Sequence, residues 1–443
     1  MRFIEIYDKI VENKGSILCV GLDPPVDKFN TPVEKMKFCL EIIEKVSQNC
    51  CAIKINENFV RDLSLEQHKE ITEKIKENNL ISIYDCKIGD ITNSAISGMY
   101  LIKKMGYDAL TVNPILGNLS DITKEAHEVG LGVLALVLPS NPESKNYYRK
   151  KMEDGEEFYN YFIIDCMKSG TDGIVIGLGR DINPSEISSI RDRLGDDVII
   201  LFPGVGVQGG DLEMAIKHGG NRILINVGRA IILSKDPEKE SMKYNDKIMS
   251  LREFYEVSNI ILKTEGAFNL SKEPIRLSSG KLSNYYIDCR AIYSDPDSRQ
   301  IIVKSMFRLI KRKMGKERFK VVTTASAGIP LASIIADKFG VGLIYYRADK
   351  KEYGLSKKIE GIIKDGDYFV GVDDLTTTGK TALECIKAVR EKGGIIDKYF
   401  VIFDRLEGAS ELLAKEGVEL YSLANMSDKF KGLIEEHYGK KLP

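Results

Sequence analysis

The first half of the chain repeats one pattern, a short run of β-branched and apolar residues followed by a longer stretch with helical spacing. Eight such runs occur between residues 16 and 229. Strands that alternate with helices favour a parallel sheet, and eight of them over this length predict a closed (β/α)8 barrel, the TIM barrel. The predicted strands are Ile17 to Asp23, Ala52 to Asn56, Ile81 to Lys87, Ala109 to Pro114, Val133 to Pro139, Gly173 to Leu178, Val198 to Val205 and Arg222 to Arg229.

The 443 residues exceed what one hydrophobic core usually supports, so we expect a second domain after the barrel. The predicted boundaries are 1–236 for the barrel, 237–246 for a charged linker and 247–443 for the second domain. The 64 basic and 65 acidic residues nearly cancel, which argues against nucleic acid or an anionic membrane surface as a partner. No apolar run approaches the ~20 residues of a membrane span. Eight scattered cysteines without a CxxC pair predict neither a zinc site nor disulfides, and favour a reducing cytoplasm.

Polar side chains occur at the ends of six predicted strands. In a parallel barrel these ends meet at one mouth, where the active site lies. Asp85 and Lys87 are two residues apart, so their side chains leave the strand on the same face and are expected to pair, with shifted pKa values. The alternative reading is a solvated pair in an ordinary loop. The residues at the predicted mouth are Asp23, Lys54, Asp85, Lys87, Asn113, Ser140 and Arg229.

A phosphate site is predicted after the seventh and eighth strands. The glycine-rich run 203–210 follows the seventh, and Asn226-Val227-Gly228-Arg229 closes the eighth. Glycines let backbone N–H groups approach an anion, and an arginine adds a bidentate contact. A glycine-rich loop alone is weak evidence, but this position in a barrel makes it specific.

These segments resemble the orotidine 5′-monophosphate (OMP) decarboxylase family over about residues 1–236, with Asp85 to Ile91 and Ser140-Asn141-Pro142 among the matching motifs. The resemblance implies an array of alternating charges whose last Asp comes from the partner subunit, so at least a homodimer is expected. The implied catalytic residues are Lys54, Asp85, Lys87 and Asp90. The implied contacts with OMP or UMP are Asp23, Ile91, Ser94, Ser140, Gln208, Gly228 and Arg229; many members have threonine at the position of Ser94.

The implied decarboxylation leaves a carbanion at carbon 6 that the pyrimidine ring delocalises poorly. No site for a cofactor is evident in the barrel sequence, so stabilisation must be electrostatic. Lys87 can neutralise the developing charge and then protonate the carbon. Asp85 can disfavour the substrate carboxylate, and phosphate binding far from the reacting carbon can supply energy for orientation.

The second half carries its strongest motif at 368–381: a buried strand, the acidic pair Asp373-Asp374, a threonine-rich turn and a helix. Gly379-Lys380-Thr381 suggests a Walker A loop, but the first glycine of that motif would fall at Asp374, so this reading fails. A threonine-rich turn before a helix can instead bind a phosphate, and the acidic pair can hold ribose hydroxyls and water around Mg²⁺. An acidic helix cap without a ligand is the alternative.

This motif resembles that of type I phosphoribosyltransferases, which have a Rossmann-like α/β fold. The segments 277–288 and Phe403-Asp404-Arg405-Leu406-Glu407 narrow the resemblance to orotate phosphoribosyltransferase. It implies orotate and phosphoribosyl diphosphate (PRPP) as substrates, with Mg²⁺ held near the acidic pair through PRPP and water, and a mobile loop after Arg347. The implied PRPP contacts are Arg347, Lys351, Asp373, Asp374, Thr376, Thr377, Thr378, Gly379 and Thr381, with Lys351 also catalytic; those for orotate are Thr377 and Arg405.

This chain departs from the transferase pattern at four positions. Many members have lysine or histidine there, so the diphosphate site is expected to be less basic and to depend on Arg347 and Lys351. The departures affect the expected affinity and rate more than the reaction type. They are Ser278, Ala327, Ala348 and Tyr353.

Together the two resemblances imply a bifunctional enzyme that converts orotate to UMP through OMP. One alternative is a barrel relative that acts on a sugar phosphate with Mg²⁺, fused to a transferase for another base; Lys54, Ser140 and Arg405 argue against it. A second alternative is a regulatory protein that binds nucleic acid, which the neutral charge balance does not favour.

Overall fold

The first half of the chain forms a closed barrel of eight parallel strands, as the eight apolar runs predict. A computed structural model describes residues 2–178, 182–204, 209–276, 282–315, 318–348 and 358–439. The barrel closes where Cys19 of the first strand lies opposite Asn226 of the last. The strands are β1 (Leu18–Gly21), β2 (Ala52–Asn56), β3 (Ile81–Ile88), β4 (Ala109–Val112), β5 (Gly132–Leu138), β6 (Gly173–Ile176), β7 (Ile199–Phe202) and β8 (Ile223–Val227).

Helices surround the barrel, and the first of them closes its floor. Phe3, Tyr7 and Ile10 are buried against the lower ends of the strands, and a Cβ at Gly132 would lie only 2.3 Å from the Phe3 ring, so glycine is required there. The helices are α1 (Phe3–Lys14), α2 (Pro32–Val46), α3 (Leu65–Glu77), α4 (Thr92–Lys104), α5 (Leu119–Glu128), α6 (Lys145–Tyr148), α7 (Tyr159–Ser169), α8 (Pro184–Leu194), α9 (Gly209–His218), α10 (Arg229–Ile232) and α11 (Pro237–Lys263).

The pleat of the strands divides the barrel interior into an apolar floor and a polar mouth. Side chains alternate along a strand, so residues two apart point to the same face. Ala52, Ile83 and Leu224 belong to the apolar floor. The residue two places later on each of these strands lines a cavity at the carboxyl end. Lys54, Asp85 and Asn226 are those residues, and they therefore share one level of the barrel.

The second half is built on a six-stranded sheet beside a two-stranded antiparallel hairpin. The strand order is β13-β12-β11-β14-β15-β16, parallel except for the short β13. The elements are β9 (Phe268–Arg276), β10 (Leu282–Ile287), α12 (Pro296–Met314), β11 (Lys320–Thr324), α13 (Ile329–Phe339), β12 (Leu343–Tyr346), β13 (Ile359–Glu360), β14 (Tyr368–Thr376), α14 (Lys380–Arg390), β15 (Ile395–Asp404), α15 (Ala409–Ala414), β16 (Glu419–Asn425) and α16 (Asp428–Tyr438).

The chain separates into two units, Met1–Leu251 and Arg252–Pro443. Residues 237–246, expected as a linker, lie within the continuous helix α11. Where each domain can fold by itself, and so whether the boundaries at 236 and 247 are right, remains a prediction. Within the described parts of the chain, no helix combines the length and the apolar character needed to cross a membrane.

Candidate active sites

Two lysines and one aspartate form a charged array at the mouth of the barrel. Lys54 Nζ lies 2.6 Å from Asp85 Oδ2, and Lys87 Nζ lies 2.6 Å from Asp85 Oδ1. The side chains of Lys54 and Asp85 are 5% and 9% exposed, whereas that of Lys87 is 40% exposed. The predicted pair is therefore present, and Lys87 is its more exposed member.

Burial and charge act in opposite directions on the pKa values of this array. Burial disfavours the charged carboxylate of Asp85, but the ammonium groups of Lys54 and Lys87 outweigh it and lower the pKa of Asp85 to about 2. Burial would likewise lower the pKa of Lys54, but Asp85 and then Asp23 outweigh it and the pKa is raised. Asp85 and Lys54 therefore stay charged across the ordinary pH range.

A break in the β3–β4 ladder aims Lys87 into the mouth. Lys87 has a φ of 49°, in the left-handed region that non-glycine residues rarely adopt, and the pairing register shifts between Tyr84 and Ile88. Thr111 replaces the lost ladder bond: its Oγ1 accepts from Lys87 N at 2.8 Å and donates to Asp85 Oδ1 at 2.9 Å. One threonine hydroxyl thus holds both the backbone of Lys87 and the carboxylate of Asp85.

The array opens into a cavity of about 770 Å³, large enough for a nucleotide. Most lining residues from β8 and β1 to β4 are polar. The strand residues from β5 to β7 are apolar, although the segment after β5 adds the polar residues Ser140, Asn141, Glu143 and Ser144. Asp23, which accepts a hydrogen bond from Asn56 N at 3.2 Å, belongs to the polar side. The polar lining includes Asp23, Lys54, Asn56, Asp85, Lys87, Thr111, Asn226 and Arg229, and the apolar lining includes Leu136, Leu138, Val175, Leu201 and Pro203.

Four of the predicted substrate contacts line this cavity: Asp23, Ser140, Gly228 and Arg229. Two other predicted contacts, Ile91 and Ser94, and the predicted catalytic residue Asp90 are exposed and are not part of its wall in a single chain. The Oδ1 of Asp90 accepts a hydrogen bond from the adjacent Ile91 N at 2.7 Å. Gln208 lies outside the described residues.

Sequence reasoning assigned no role to several cavity residues, among them Thr111, Asn226 and Tyr244. Thr111 and Asn226 could have been found by counting two places from the apolar interior residues Ala109 and Leu224. Tyr244 comes from α11, within the segment expected as a linker, and its sequence carries no comparable signal.

The second candidate site lies at the carboxyl end of β14. The strand continues through the acidic pair as far as Thr376, so Asp373 lies within the sheet and not in the following turn. Oδ2 of Asp373 accepts hydrogen bonds from the hydroxyl groups of Thr324 and Tyr399, the latter at 3.0 Å. Oδ1 accepts from Asp374 N at 3.2 Å. Internal donors therefore occupy both oxygens of Asp373.

Burial, followed by the neighbouring negative charge of Asp374, raises the pKa of Asp373 to about 7. Burial also raises the pKa of Asp374. Nearby, the buried hydroxyl oxygens of Tyr293 and Thr323 have no hydrogen-bond partner among the described residues. Polar groups in this state are typical of ligand sites.

Arg405 forms a second polar feature of this unit. It is 5% exposed, its Nε donates to Glu407 Oε1 at 3.0 Å, and its guanidinium lies 4.6 Å from the centre of the Tyr285 ring. The ring and the carboxylate hold a planar cation at a fixed orientation, which suits a planar anionic ligand.

The turn between β14 and α14 contains the half-buried Thr377 and Thr378 and ends at Gly379, whose φ is 76°. Thr381, in the first turn of α14, is exposed. Arg347 donates its backbone N–H to Lys358 O at 2.8 Å. Lys351, Ser278 and Tyr353 lie outside the described residues, whereas Ala327 and Ala348 are described.

Comparison with known proteins matches each half of the chain to a protein family. A family model described as orotidine 5′-phosphate decarboxylase / HUMPS family matches residues 16–244, more than half of the chain. The chain belongs to this family. A model of the phosphoribosyl transferase domain matches residues 290–422.

Curated relatives identify the type of transferase domain. The orotate phosphoribosyltransferase of Methanocaldococcus jannaschii is 44% identical over 155 residues, which cover 34% of this chain and 84% of that protein. The enzyme of the same name from Pyrococcus abyssi is 39% identical over 155 residues, covering 35% of this chain and 85% of that protein. The second half of this decarboxylase-family chain therefore also belongs to the orotate phosphoribosyltransferases.

One solved structure matches both halves at once. Leishmania donovani UMP synthase is 25% identical with a TM-score of 0.51, and the match covers 99% of this chain and 96% of that one. The chain thus joins an OMP decarboxylase domain and an orotate phosphoribosyltransferase domain, as expected from the sequence, and is a bifunctional enzyme of pyrimidine biosynthesis.

Proposed function

We propose that the chain makes UMP from orotate and PRPP in two steps and that Lys87 donates the proton in the second. In the first step, N1 of orotate loses its proton to solvent and bonds to C1 of the ribose, while the bond from C1 to the diphosphate oxygen breaks and diphosphate leaves. In the second, the bond from carbon 6 to the carboxyl carbon breaks, CO₂ leaves, and the electron pair remaining on carbon 6 takes a proton from Lys87. The single observation that carries this proposal is the Lys54–Asp85–Lys87 array inside a nucleotide-sized cavity.

The proposed mechanism is electrostatic. Asp85, held ionised by two ammonium groups, opposes the substrate carboxylate in the ground state and is relieved as CO₂ leaves. Lys87 can follow the negative charge that develops at carbon 6, because it is the exposed member of the array. Arg229, Gly228 and Gln208 are proposed to bind the phosphate, Asp23 the ribose, and Ser140 the pyrimidine ring.

In the transferase domain we propose that Arg405 and Thr377 bind orotate and that Thr376, at the end of β14, the turn 377–379 and Thr381 bind the 5-phosphate of PRPP. Arg347 and Lys351 would neutralise the diphosphate. The residues present fit Mg²⁺ held mainly by PRPP and water, because internal donors already occupy Asp373 and Mg²⁺ keeps much of its water shell. When bound, Mg²⁺ would supply charge neutralisation for the departing diphosphate.

We propose at least a homodimer in which Asp90 completes the array of the partner subunit, with Ile91 and Ser94 beside it. Asp90 is exposed outside the cavity, and Asn118 Nδ2 donates to its backbone oxygen at 3.0 Å. Exposed apolar side chains beside Asp90 and beside Asn118 support an interface: Ile91 and Leu116 are 66% and 51% exposed. No disulfide joins any of the eight cysteines, all of which lie in the described part of the chain, and this supports a reducing cytoplasm as the proposed location.

Incubation with orotate, PRPP and Mg²⁺, followed by chromatography of the products, tests the function. We expect UMP from the wild type and accumulating OMP from Lys87→Ala, because only the decarboxylation loses its proton donor. Lys37→Ala, an exposed lysine on α2, is the matched control and should make UMP at the wild-type rate. Equal UMP from the Lys87→Ala and control variants would contradict the assigned role.

Mixing two inactive variants tests the shared site. Asp90→Asn and Lys87→Ala subunits should regain decarboxylation after exchange, up to about one quarter of the wild-type activity per subunit, because a hybrid dimer contains one intact site. A mixture that stays inactive while sedimentation shows hybrid dimers would contradict the contribution of Asp90 across the interface.

A further inference from the structure

Asn226 is a buried polar side chain in the decarboxylase cavity for which the proposed mechanism has no role. It lies on β8, two residues after Leu224 of the apolar floor, and lines the cavity at the level of Lys54. The residue is only 8% exposed, and its Oδ1 accepts no hydrogen bond from the part of the chain that the structure describes. A buried acceptor left in this state is destabilising, so a donor that enters the cavity is expected to satisfy it.

The position of the amide is fixed by a glycine on the neighbouring strand. A Cβ at Gly21 would lie 3.1 Å from Oδ1 and 3.3 Å from Nδ2 of Asn226, so the amide rests against the bare backbone of β1. Gly21 is in register with Lys54 on β2 and precedes Asp23 by two residues. The amide therefore lies between the strand that leads to Arg229, at the proposed phosphate end, and the strand that leads to the proposed ribose contact Asp23.

Of the phosphate, the ring and the ribose hydroxyls of a bound nucleotide, only the ribose hydroxyls suit this amide as hydrogen-bond partners. A phosphate ionised at neutral pH has no proton to donate, and the reacting ring belongs beside Lys87, on β3, three strands away from β8. A ribose hydroxyl can donate to Oδ1 and can also accept from Nδ2, so it matches either end of a carboxamide.

We infer that Asn226 hydrogen-bonds a ribose hydroxyl of the bound nucleotide and so favours ribonucleotides over deoxyribonucleotides. This inference rests on the proposed decarboxylase function, because the orientation of the nucleotide follows from the roles of Asp23, Lys87 and Arg229. A site that hydrogen-bonds a hydroxyl rejects the analogue that lacks it, since the buried amide is then left unpaired.

Competitive inhibition of OMP decarboxylation tests the inference, since it reports on this cavity alone. The inhibitors are UMP, 2′-deoxy-UMP and 3′-deoxy-UMP, and the variants are Asn226→Leu, which keeps the size without the amide, and Asn226→Asp, which keeps an acceptor. The control is Asn13→Leu, an exposed asparagine on α1. We expect the wild type and the control to bind one deoxy analogue about tenfold more weakly than UMP, the effect of one hydrogen bond.

Asn226→Leu should weaken UMP binding about tenfold and leave binding of that deoxy analogue unchanged, because the same contact is already absent. Asn226→Asp should keep the preference for UMP. The inference would be overturned if the leucine variant bound all three ligands equally more weakly, or if the wild type did not distinguish them. In either case, decarboxylation of OMP by the wild type would still uphold the proposed function. A wild type that does not decarboxylate OMP would overturn both.

A second variant covers the case in which Asn226→Leu does not fold. Gly21→Ala places a methyl group against the amide, with the 3.1 Å contact described above, and leaves Asn226 itself in place. It should weaken binding of UMP more than binding of the deoxy analogue. An equal loss for the two ligands, with an unchanged melting temperature, would also overturn the inference.

Discussion

Two buried aspartates of this chain show how the sign of a neighbouring charge decides a pKa. Asp85 and Asp373 are both removed from water, which by itself raises the pKa of a carboxyl. Asp85 lies between two ammonium groups and its pKa falls to about 2, whereas Asp373 lies beside Asp374 and its pKa rises to about 7. The ionised Asp85 can repel a negatively charged substrate group, whereas the Asp373–Asp374 pair favours binding of a cation.

The acidic pair predicts a pH-dependent stability of the transferase domain. Both folded pKa values are raised above their unfolded values, so the native state binds more protons between about pH 4 and 7 and its stability falls as pH rises through that window. Asp374→Asn removes one charge of the pair. We expect this variant to melt ~2–4 °C higher than wild type at pH 8, a gain of about 1 kcal/mol, with a smaller difference at pH 5.

Calorimetry at pH 5 and pH 8 checks this expectation, with UMP added to identify the barrel transition by its upward shift. Asp337→Asn, an exposed aspartate on α13, is the control and should not change the pH dependence. Asp374→Asn should also transfer phosphoribosyl groups more slowly than the wild type does. A lower melting temperature at pH 8, or a difference that does not change with pH, would mean that charge repulsion in the pair does not limit stability.

At the scale of elements, the end of β3 is the part of the barrel that the mechanism depends on most. The left-handed φ of Lys87 is unfavourable by about 1–2 kcal/mol for an L-residue. Thr111 on β4 stabilises this conformation from the neighbouring strand, since its hydroxyl takes the place of a ladder partner. The local irregularity is therefore held by one side chain outside the motif that carries the charges.

We predict that Thr111→Val lowers kcat/KM for OMP by about tenfold or more, because a hydrogen bond to a charged group contributes about 1.5–3 kcal/mol. Thr111 acts as a positioning residue, so the loss should appear mainly in kcat and much less in KM. Thr111→Ser keeps the hydroxyl and should recover most of the rate. Steady-state kinetics of the three proteins decide the question; a serine variant as slow as the valine variant would show that the methyl group, not the hydroxyl, matters.

The elements differ in how far the sequence could predict them. Apolar runs predict the eight strands, and the carboxyl ends of neighbouring parallel strands meet at one mouth, so the meeting of Lys54 and Asp85 there follows from the sequence. The conformation of Lys87 does not follow, because it depends on the hydroxyl of Thr111 from another strand. Residues 237–246 look like a linker because they are charged, but charged residues also suit the exposed face of a helix such as α11. The spacing of apolar residues in this segment is too irregular to distinguish a helix from a linker.

At the scale of the whole molecule, the two candidate sites use separate parts of the chain. The described wall of the decarboxylase cavity comes from Asp23 to Tyr244, within the first unit. The acidic pair and Arg405 lie within the second unit. Neither set takes a described residue from the other unit, so each reaction is expected to survive the loss of the other.

We therefore predict that Lys87→Ala and Asp374→Asn complement each other in trans. Alone, the first should stop at OMP and the second should make little product from orotate. An equimolar mixture should make UMP after a lag, while free OMP rises and then falls, because OMP released by one protein must diffuse to the other. Time courses by chromatography measure this, with a chain that carries both substitutions as the inactive control. A mixture that accumulates OMP without UMP, although Asp374→Asn decarboxylates added OMP at the wild-type rate, would mean that OMP stays bound to the chain that makes it.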